Sequence, residues 1–394
     1  MAPVALGVDQ AKRFPLRFDR QEWSGAFGDL GTDLPLIVGM ILAAKLDATS
    51  VFTAFGLLQV FTALAYRLPM PVQPLKAMAS IVIAQQIPAQ TVYGGGLAIG
   101  LMMLALTLLG LIDWIDRLVP KTVVRGIQCG LGLQLTSIAL GRYMPANGFQ
   151  GWLLAAAGFL VALILRGRPR VPVALLLTLV GASYGLVVAM RDSGFNVVPG
   201  IHLPQLTKPS WGDISAGLLL LALPQLPLSI ANSILATRQL VQDLFPDRAL
   251  SARRIASTYA VMNLVNPFVG GIPTCHGSGG MAGHYAFGAR TGGSVIIYGA
   301  TWVILGVIFG PACQKLVESF PLPLLGVLLL FEGLTLLVLL SDLAHSRKDF
   351  TLALLVGLIS NGVPYGFLIG LVVGVAIHLG MSRGWVPLAG QGSK

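Results

Sequence analysis

Apolar runs of membrane-spanning length, parted by short polar breaks, fill the chain from residue 26 to residue 381. A predominantly apolar stretch of ~20 residues crosses the hydrocarbon layer as a helix, and a shorter one reads as a half-span. The pattern predicts about fourteen such segments. They fall at 26–45, 48–66, 70–87, 92–112, 120–140, 149–166 and 172–190, then at 213–237, 253–268, 273–288, 293–312, 322–341, 348–361 and 363–381. The polar interruption Arg191–Gly212 separates two sets of seven. The expected organisation is a segment 1–22, a first half 23–192, a linker 193–212, a second half 213–382 and a tail 383–394. The fold class is an all-α polytopic membrane protein.

Composition agrees, with 55% hydrophobic and 11% charged residues and a mean hydropathy of +0.79. A soluble domain averages roughly 25% charged residues. The formal charge of +10 would by itself suggest a nucleic-acid partner, but its distribution has another cause. With the N-terminus inside and fourteen crossings, only Lys45, Arg142, Arg191, Lys208 and Lys315 of the 26 basic residues fall outside, and Lys76 lies within a span. That is the bias of cytoplasmic loops. It predicts a multi-pass protein of the cell membrane with both termini cytoplasmic and no nucleic-acid partner. Residues 1–22 hold no continuous apolar run and read as a cytoplasmic segment without a secretory signal. Cys129, Cys275 and Cys313 are dispersed, so neither a disulfide framework nor a metal cluster is expected. No cofactor motif appears, and no oriented third group accompanies Ser278 and His276, so an enzyme is not expected.

The two halves resemble one another weakly. Leu34-Pro35-Leu36 leading to Ile41-Leu42-Ala43 matches Leu226-Pro227-Leu228 leading to Ile234-Leu235-Ala236. Pro69-Met70-Pro71 leading to Met78-Ala79 matches Gly271-Ile272-Pro273 leading to Met281-Ala282. An odd number of spans per half inverts the second copy relative to the first. Inverted repeats with Gly/Pro-broken segments at matching positions mark a secondary transporter whose site lies near the bilayer midplane.

The broken segments are the third and the tenth. Pro71, Pro74 and the glycines of Gly270–Gly293 exclude a continuous helix. Each segment is expected to run extended and then start a half-helix, after Pro74 and after His276, with both N-termini facing a common volume. A helix N-terminus is an anion site. Backbone N–H groups near Leu75–Lys76 and Gly277–Gly279 are expected to donate to an oxyanion, with Gln73 and Ser278 adding side-chain bonds. Lys76 at membrane depth calls for a substrate anion or an acidic partner among Asp29, Asp33 and Glu332. The same three acids are the candidates for proton coupling. Gln225 and Asn232, seven apart, share a helix face, and Gln225, Thr32, Cys275 and His276 complete the candidate contacts. For these residues the alternatives are structural: helix–helix hydrogen bonds, a cap at Asp29, or an interior histidine.

Gly28-Asp29-Leu30-Gly31-Thr32, Pro71-Val72-Gln73-Pro74-Leu75-Lys76-Ala77, and the run from Gly271 to Gly280 with Phe287-Gly288-Ala289-Arg290-Thr291-Gly292 resemble the molybdate transporter family. That family looks like a branch of the sulfate permease superfamily lacking the soluble STAS domain. Asp33 departs from the pattern, standing where an aromatic or apolar residue is expected. The resemblance implies a fourteen-segment inverted-repeat fold with a core and a gate, the gate formed by segments five to seven and twelve to fourteen. It implies molybdate as substrate, tungstate or sulfate as competitors, and the lipid bilayer as surroundings, with a homodimer as an open option. Two rivals stay open: a transporter of the same fold for sulfate or another ligand, and an anion channel.

Overall fold

The computed structural model describes residues 15–112, 119–165, 173–191, 197–248 and 250–383. The segment 1–22 up to residue 14, residues 113–118 and 166–172 with their basic side chains, and the tail from 384 lie outside the described residues.

Eight helices are long and apolar enough to cross a membrane, among the described residues. The first is Arg20–Ala44, which begins earlier than the apolar pattern predicts. It is two helices, α1 (Arg20–Ala26) and α2 (Leu30–Ala44), joined by a break at Phe27–Asp29. Asp19 caps α1 by accepting from the N–H groups of Gln21 and Glu22. Asp29 occupies the N-cap position of α2 but makes no side-chain cap bond, and it is buried. A capping role for Asp29 therefore falls away, and the break puts its carboxyl inside the protein.

There follow α3 (Ala48–Tyr66), strand β1 (Val72–Pro74), the short helix α4 (Lys76–Gln85), α5 (Ala89–Leu109), α6 (Lys121–Ile138), α7 (Gly148–Leu165) and α8 (Val173–Arg191). The long apolar helix Trp211–Leu244 is interrupted twice. Helices α9 (Trp211–Gly217), α10 (Leu223–Leu228) and α11 (Ala236–Leu244) are linked by π-helical turns at Leu218–Ala222 and Ser229–Leu235. Pro224 and Pro227 supply the cause: each removes a backbone donor and crowds the preceding turn. The chain continues with α12 (Ala252–Val265), β2 (Thr274–His276), α13 (Ser278–Ala286), α14 (Gly293–Glu318), α15 (Leu322–Val338), α16 (Arg347–Gly362) and α17 (Gly366–Ser382).

The strands modify the all-α expectation. β1 and β2 pair antiparallel, Val72 opposite His276, Gln73 opposite Cys275 and Pro74 opposite Thr274. With no water to satisfy a sheet edge inside a membrane, each outer edge must find partners in protein. Two side-chain amides do this. Gln59 of α3 donates to the Val72 carbonyl (2.7 Å) and accepts from its N–H (2.8 Å). Asn263 of α12 does the same for Thr274, at 2.7 and 3.0 Å.

The helices pack as two groups. In one, α3 lies along α14, and α5 packs on α9 and α12. Close approach needs small residues there: a methyl at Gly56 would collide with the Gly299 carbonyl. In the other, α6 packs on α15 and α16, and α16 on α17. The strand pair and the short helices α4 and α13 lie in the first group, where α4 and α10 come up against α6 of the second.

Candidate functional site

The antiparallel register sends α4 and α13 away from opposite ends of the strand pair, so both helix starts lie at that pair. A cavity of about 340 Å³ opens beside it. Gln73, Lys76, Gln225, Cys275, His276, Gly277, Ser278 and Gly279 all contribute to its wall. These residues come from three stretches far apart in the sequence. Thr32 does not line it; its N–H bonds the Asp29 carbonyl in the first turn of α2.

The two helix starts differ. At α4, the Leu75 N–H already donates to the Pro273 carbonyl at 3.0 Å. The N–H groups of Ala77 and Met78 donate to Gln225 Oε1 at 3.0 and 3.2 Å. Gln225 is thus an external cap for α4, held in turn by Ser229 and Tyr259. Of the backbone donors expected here, the Leu75 N–H is thus taken up within the protein, and the next turn is occupied by Gln225. What α4 does present is the Lys76 ammonium, 2.9 Å from Glu332 Oε1. Of the three acids considered for Lys76, Glu332 makes the ion pair.

At α13 the cap residue is Gly277, with no side chain to accept. The N–H groups of Ser278, Gly279 and Gly280 have no protein acceptor among the described residues. A methyl built on Gly279 would meet nothing within 4 Å, whereas one on Gly277 would collide with Gln73 and one on Gly280 with Asp29 and Pro71. Gly279 therefore faces open space, and its two neighbouring glycines are there for close packing.

Gln73 is turned away from the role of donor to the cavity. Its Nε2 donates to both carboxylate oxygens of Asp29, at 2.8 and 2.7 Å. Asp33 is fully buried, with one oxygen accepting from the Tyr298 hydroxyl at 3.0 Å and the other unpartnered. His276 Nε2 lies 2.6 Å from the Thr258 hydroxyl, and its Nδ1 has no partner. Asp29, Asp33 and Glu332 each have a different hydrogen-bond partner, Gln73, Tyr298 and Lys76 respectively. No grouping of His, Cys, Asp or Glu suited to a metal ion occurs among the described residues.

Sequence reasoning missed part of the wall. Arg125 and Gln128 of α6, and Thr335 of α15, line the cavity from the second packing group. Arg125 donates to Gln128 Oε1 at 2.8 Å and pairs with Asp342 at 2.5 Å. A signal exists in the sequence: a basic residue and an amide three apart in an apolar span. The charge bias of the loops takes in Arg125 as one more inside cation and so passes over it. Asn232 and Ser233 also face the cavity, from the π-helical turn Ser229–Leu235, whose wider winding presents neighbouring positions together.

A family model described as "Molybdate transporter of MFS superfamily" matches residues 21–135 and 217–336. Over 91% of its length the chain is 32% identical to Molybdate transporter 2 of Arabidopsis thaliana, covering 87% of that protein. The chain belongs to the molybdate transporter family. It is also 30% identical to Molybdate transporter 1 of Chlamydomonas reinhardtii, over 90% of each chain. Every cavity residue named here falls inside the stretches that define the family.

Solved structures give the fold of this family member. The transmembrane domain of a cyanobacterium bicarbonate transporter, BicA, matches with a TM-score of 0.61 at 17% identity, over 91% of this chain and 96% of that one. The murine anion transporter Slc26a9 in its inward-facing state matches with a TM-score of 0.73 at 12% identity, over 98% and 71%. The molybdate transporter family member thus shares the fold of these two transporters and is a multi-pass membrane protein.

Proposed function

We propose that this protein imports molybdate by secondary active transport, holding the oxyanion between Lys76 at the start of α4 and the open N-terminus of α13. The observation that carries the reading is a single cavity of about 340 Å³ holding both an ammonium and an uncapped helix start. An oxyanion stripped of water needs several convergent donors. Lys76, the N–H groups of Ser278 and Gly279, and the Ser278 hydroxyl supply them. Gln225 contributes at one remove, by capping α4.

The full architecture in this reading is fourteen segments in two inverted sets of seven, in which the third and tenth are half strand, half helix. The paired amides support it, since Gln59 precedes β1 and Asn263 precedes β2 in corresponding spans, each clamping one strand residue. The first packing group is then the core and the second the gate, with the cavity between them. Both termini are cytoplasmic in this reading, and Asp29, Asp33 or Glu332 takes the proton if uptake is proton-coupled.

The test is uptake of labelled molybdate into proteoliposomes with and without a pH gradient, with unlabelled tungstate and sulfate as competitors. Saturable uptake inhibited by tungstate is the expected result. Flux that does not saturate points to a channel, and displacement by sulfate alone points to a sulfate carrier. A bound molybdate lying more than about one helical turn, ~5.4 Å, from both helix starts overturns the proposed site.

A further inference from the structure

We propose that Glu332 is a displaceable stand-in for the substrate: its carboxylate occupies Lys76 while the cavity is empty and is expelled when an oxyanion binds. This rests on the transporter reading and adds to it a specific competition inside the site.

The buried and half-buried carboxylates of the protein are held in different ways. Glu22 is fully buried and accepts three backbone N–H groups, from Arg290, Thr291 and Ser294. Asp29 takes both of its bonds from Gln73, and Asp342 is flanked by Lys121 and Arg125. Glu332 has one hydrogen bond among the described residues, to Lys76. Its side chain is 15% exposed and that of Lys76 36%, and Lys76 lines the cavity while Glu332 meets it from the α15 side. A carboxylate with several fixed donors is built into the fold. One whose single donor is a side chain at a cavity is the least fixed when a rival anion enters that cavity.

The chemistry of the two rivals is alike. A carboxylate and a tetrahedral oxyanion present negatively charged oxygens to the same ammonium. Lys76 has three donors, but a dianion and a carboxylate sharing it would repel each other in a medium that screens poorly. An ammonium at this depth needs a counter-charge at all times, so the exchange of one anion for the other keeps it neutralised throughout.

The exchange also has a mechanical side. Lys76 begins α4, in the packing group of the strand pair, while Glu332 lies on α15 in the other group. The ion pair ties the two groups together. Expelling Glu332 removes that tie at the moment the substrate arrives.

The experiment is equilibrium binding of labelled molybdate to the purified full-length protein, wild type against Glu332→Gln, Glu332→Ala and Lys76→Met. Removing the competitor should tighten binding in both Glu332 variants, by about tenfold, while Lys76→Met weakens it. Damage to the fold does not tighten binding, so the direction of change is diagnostic. Equal or weaker binding in the Glu332 variants overturns the stand-in role while leaving the transporter reading in place. Absence of saturable binding to wild type overturns the transporter reading, and the stand-in role with it. Infrared difference spectra of the wild type, with and without molybdate, decide the matter even if neither variant folds. A carboxylate stretch that shifts on addition of molybdate supports displacement, and an unchanged carboxylate region overturns it.

Discussion

The two short helices that leave the strand pair start in opposite ways. α4 begins with a cation and has its Ala77 and Met78 N–H groups capped by Gln225. α13 begins with Ser278 behind the cap residue Gly277 and has no side-chain cap and no charge. An external cap satisfies donors at a helix start and weakens its partial charge. In the proposed site the difference divides the labour. Lys76 would supply long-range attraction from a flexible stem, and Ser278–Gly280 would supply donors in fixed directions.

Substitutions at Gly279, Lys76, Ser278 and Gln225, with controls at Gly277 and Lys45, break or sharpen that contrast. The largest effect is expected from Gly279→Val, which should abolish uptake without lowering the melting temperature, since the new side chain enters open space. Its control is Gly277→Ala, whose methyl would run into Gln73 and should cost stability instead. A melting curve and an uptake assay on both variants separate the two effects. If Gly279→Val transports normally, the start of α13 is not the anion site.

Next is Lys76→Ala, expected to cut uptake by more than about tenfold, against no change for Lys45→Ala. Lys45 is exposed in the left-handed turn that ends α2. Equal effects in two well-expressed variants would remove Lys76 from the site. Ser278→Ala should weaken molybdate binding by one hydrogen bond to a charged group, ~1.5–3 kcal/mol, read as a shift in Kd. The smallest effect is expected from Gln225→Ala, which uncaps α4 and should lower stability by ~1 kcal/mol. Gln225→Glu would keep the acceptor but add a negative charge beside Lys76, so it should retain stability and lose affinity. Binding unaffected by Gln225→Glu would mean that the anion stays away from α4.

Much of this was legible in the residues. Pro71, Pro74 and Pro273 with Gly270 and Gly271 break the helix pattern, and the structure has short strands at Val72–Pro74 and Thr274–His276 before each half-helix starts. Lys76 announced an interior charge, because an ammonium in an apolar run must be neutralised by an anion or reach the interface. The cap on α4 was not legible. Gln225 lies nearly one hundred and fifty residues beyond Ala77, and nothing local tells an amide bonded across a fold from one facing a ligand. Gln73 was legible in part for the same reason: its position at the break places it in the cavity wall, and only the approach of Asp29 shows where its amide nitrogen points.

What the sequence by itself determined is what depends on neighbours along the chain. The apolar runs, the breaks at the two short strands, the cysteine spacing and the family membership all follow from local composition and order. What only the tertiary structure decided is which distant groups meet. Among three acids it paired Glu332 with Lys76, it set Asp29 on Gln73 and Asp33 on Tyr298, and it brought Arg125 to the cavity. A hydrogen bond or an ion pair is decided by a few ångströms between residues hundreds of positions apart, and the packing of the helices is what sets those ångströms.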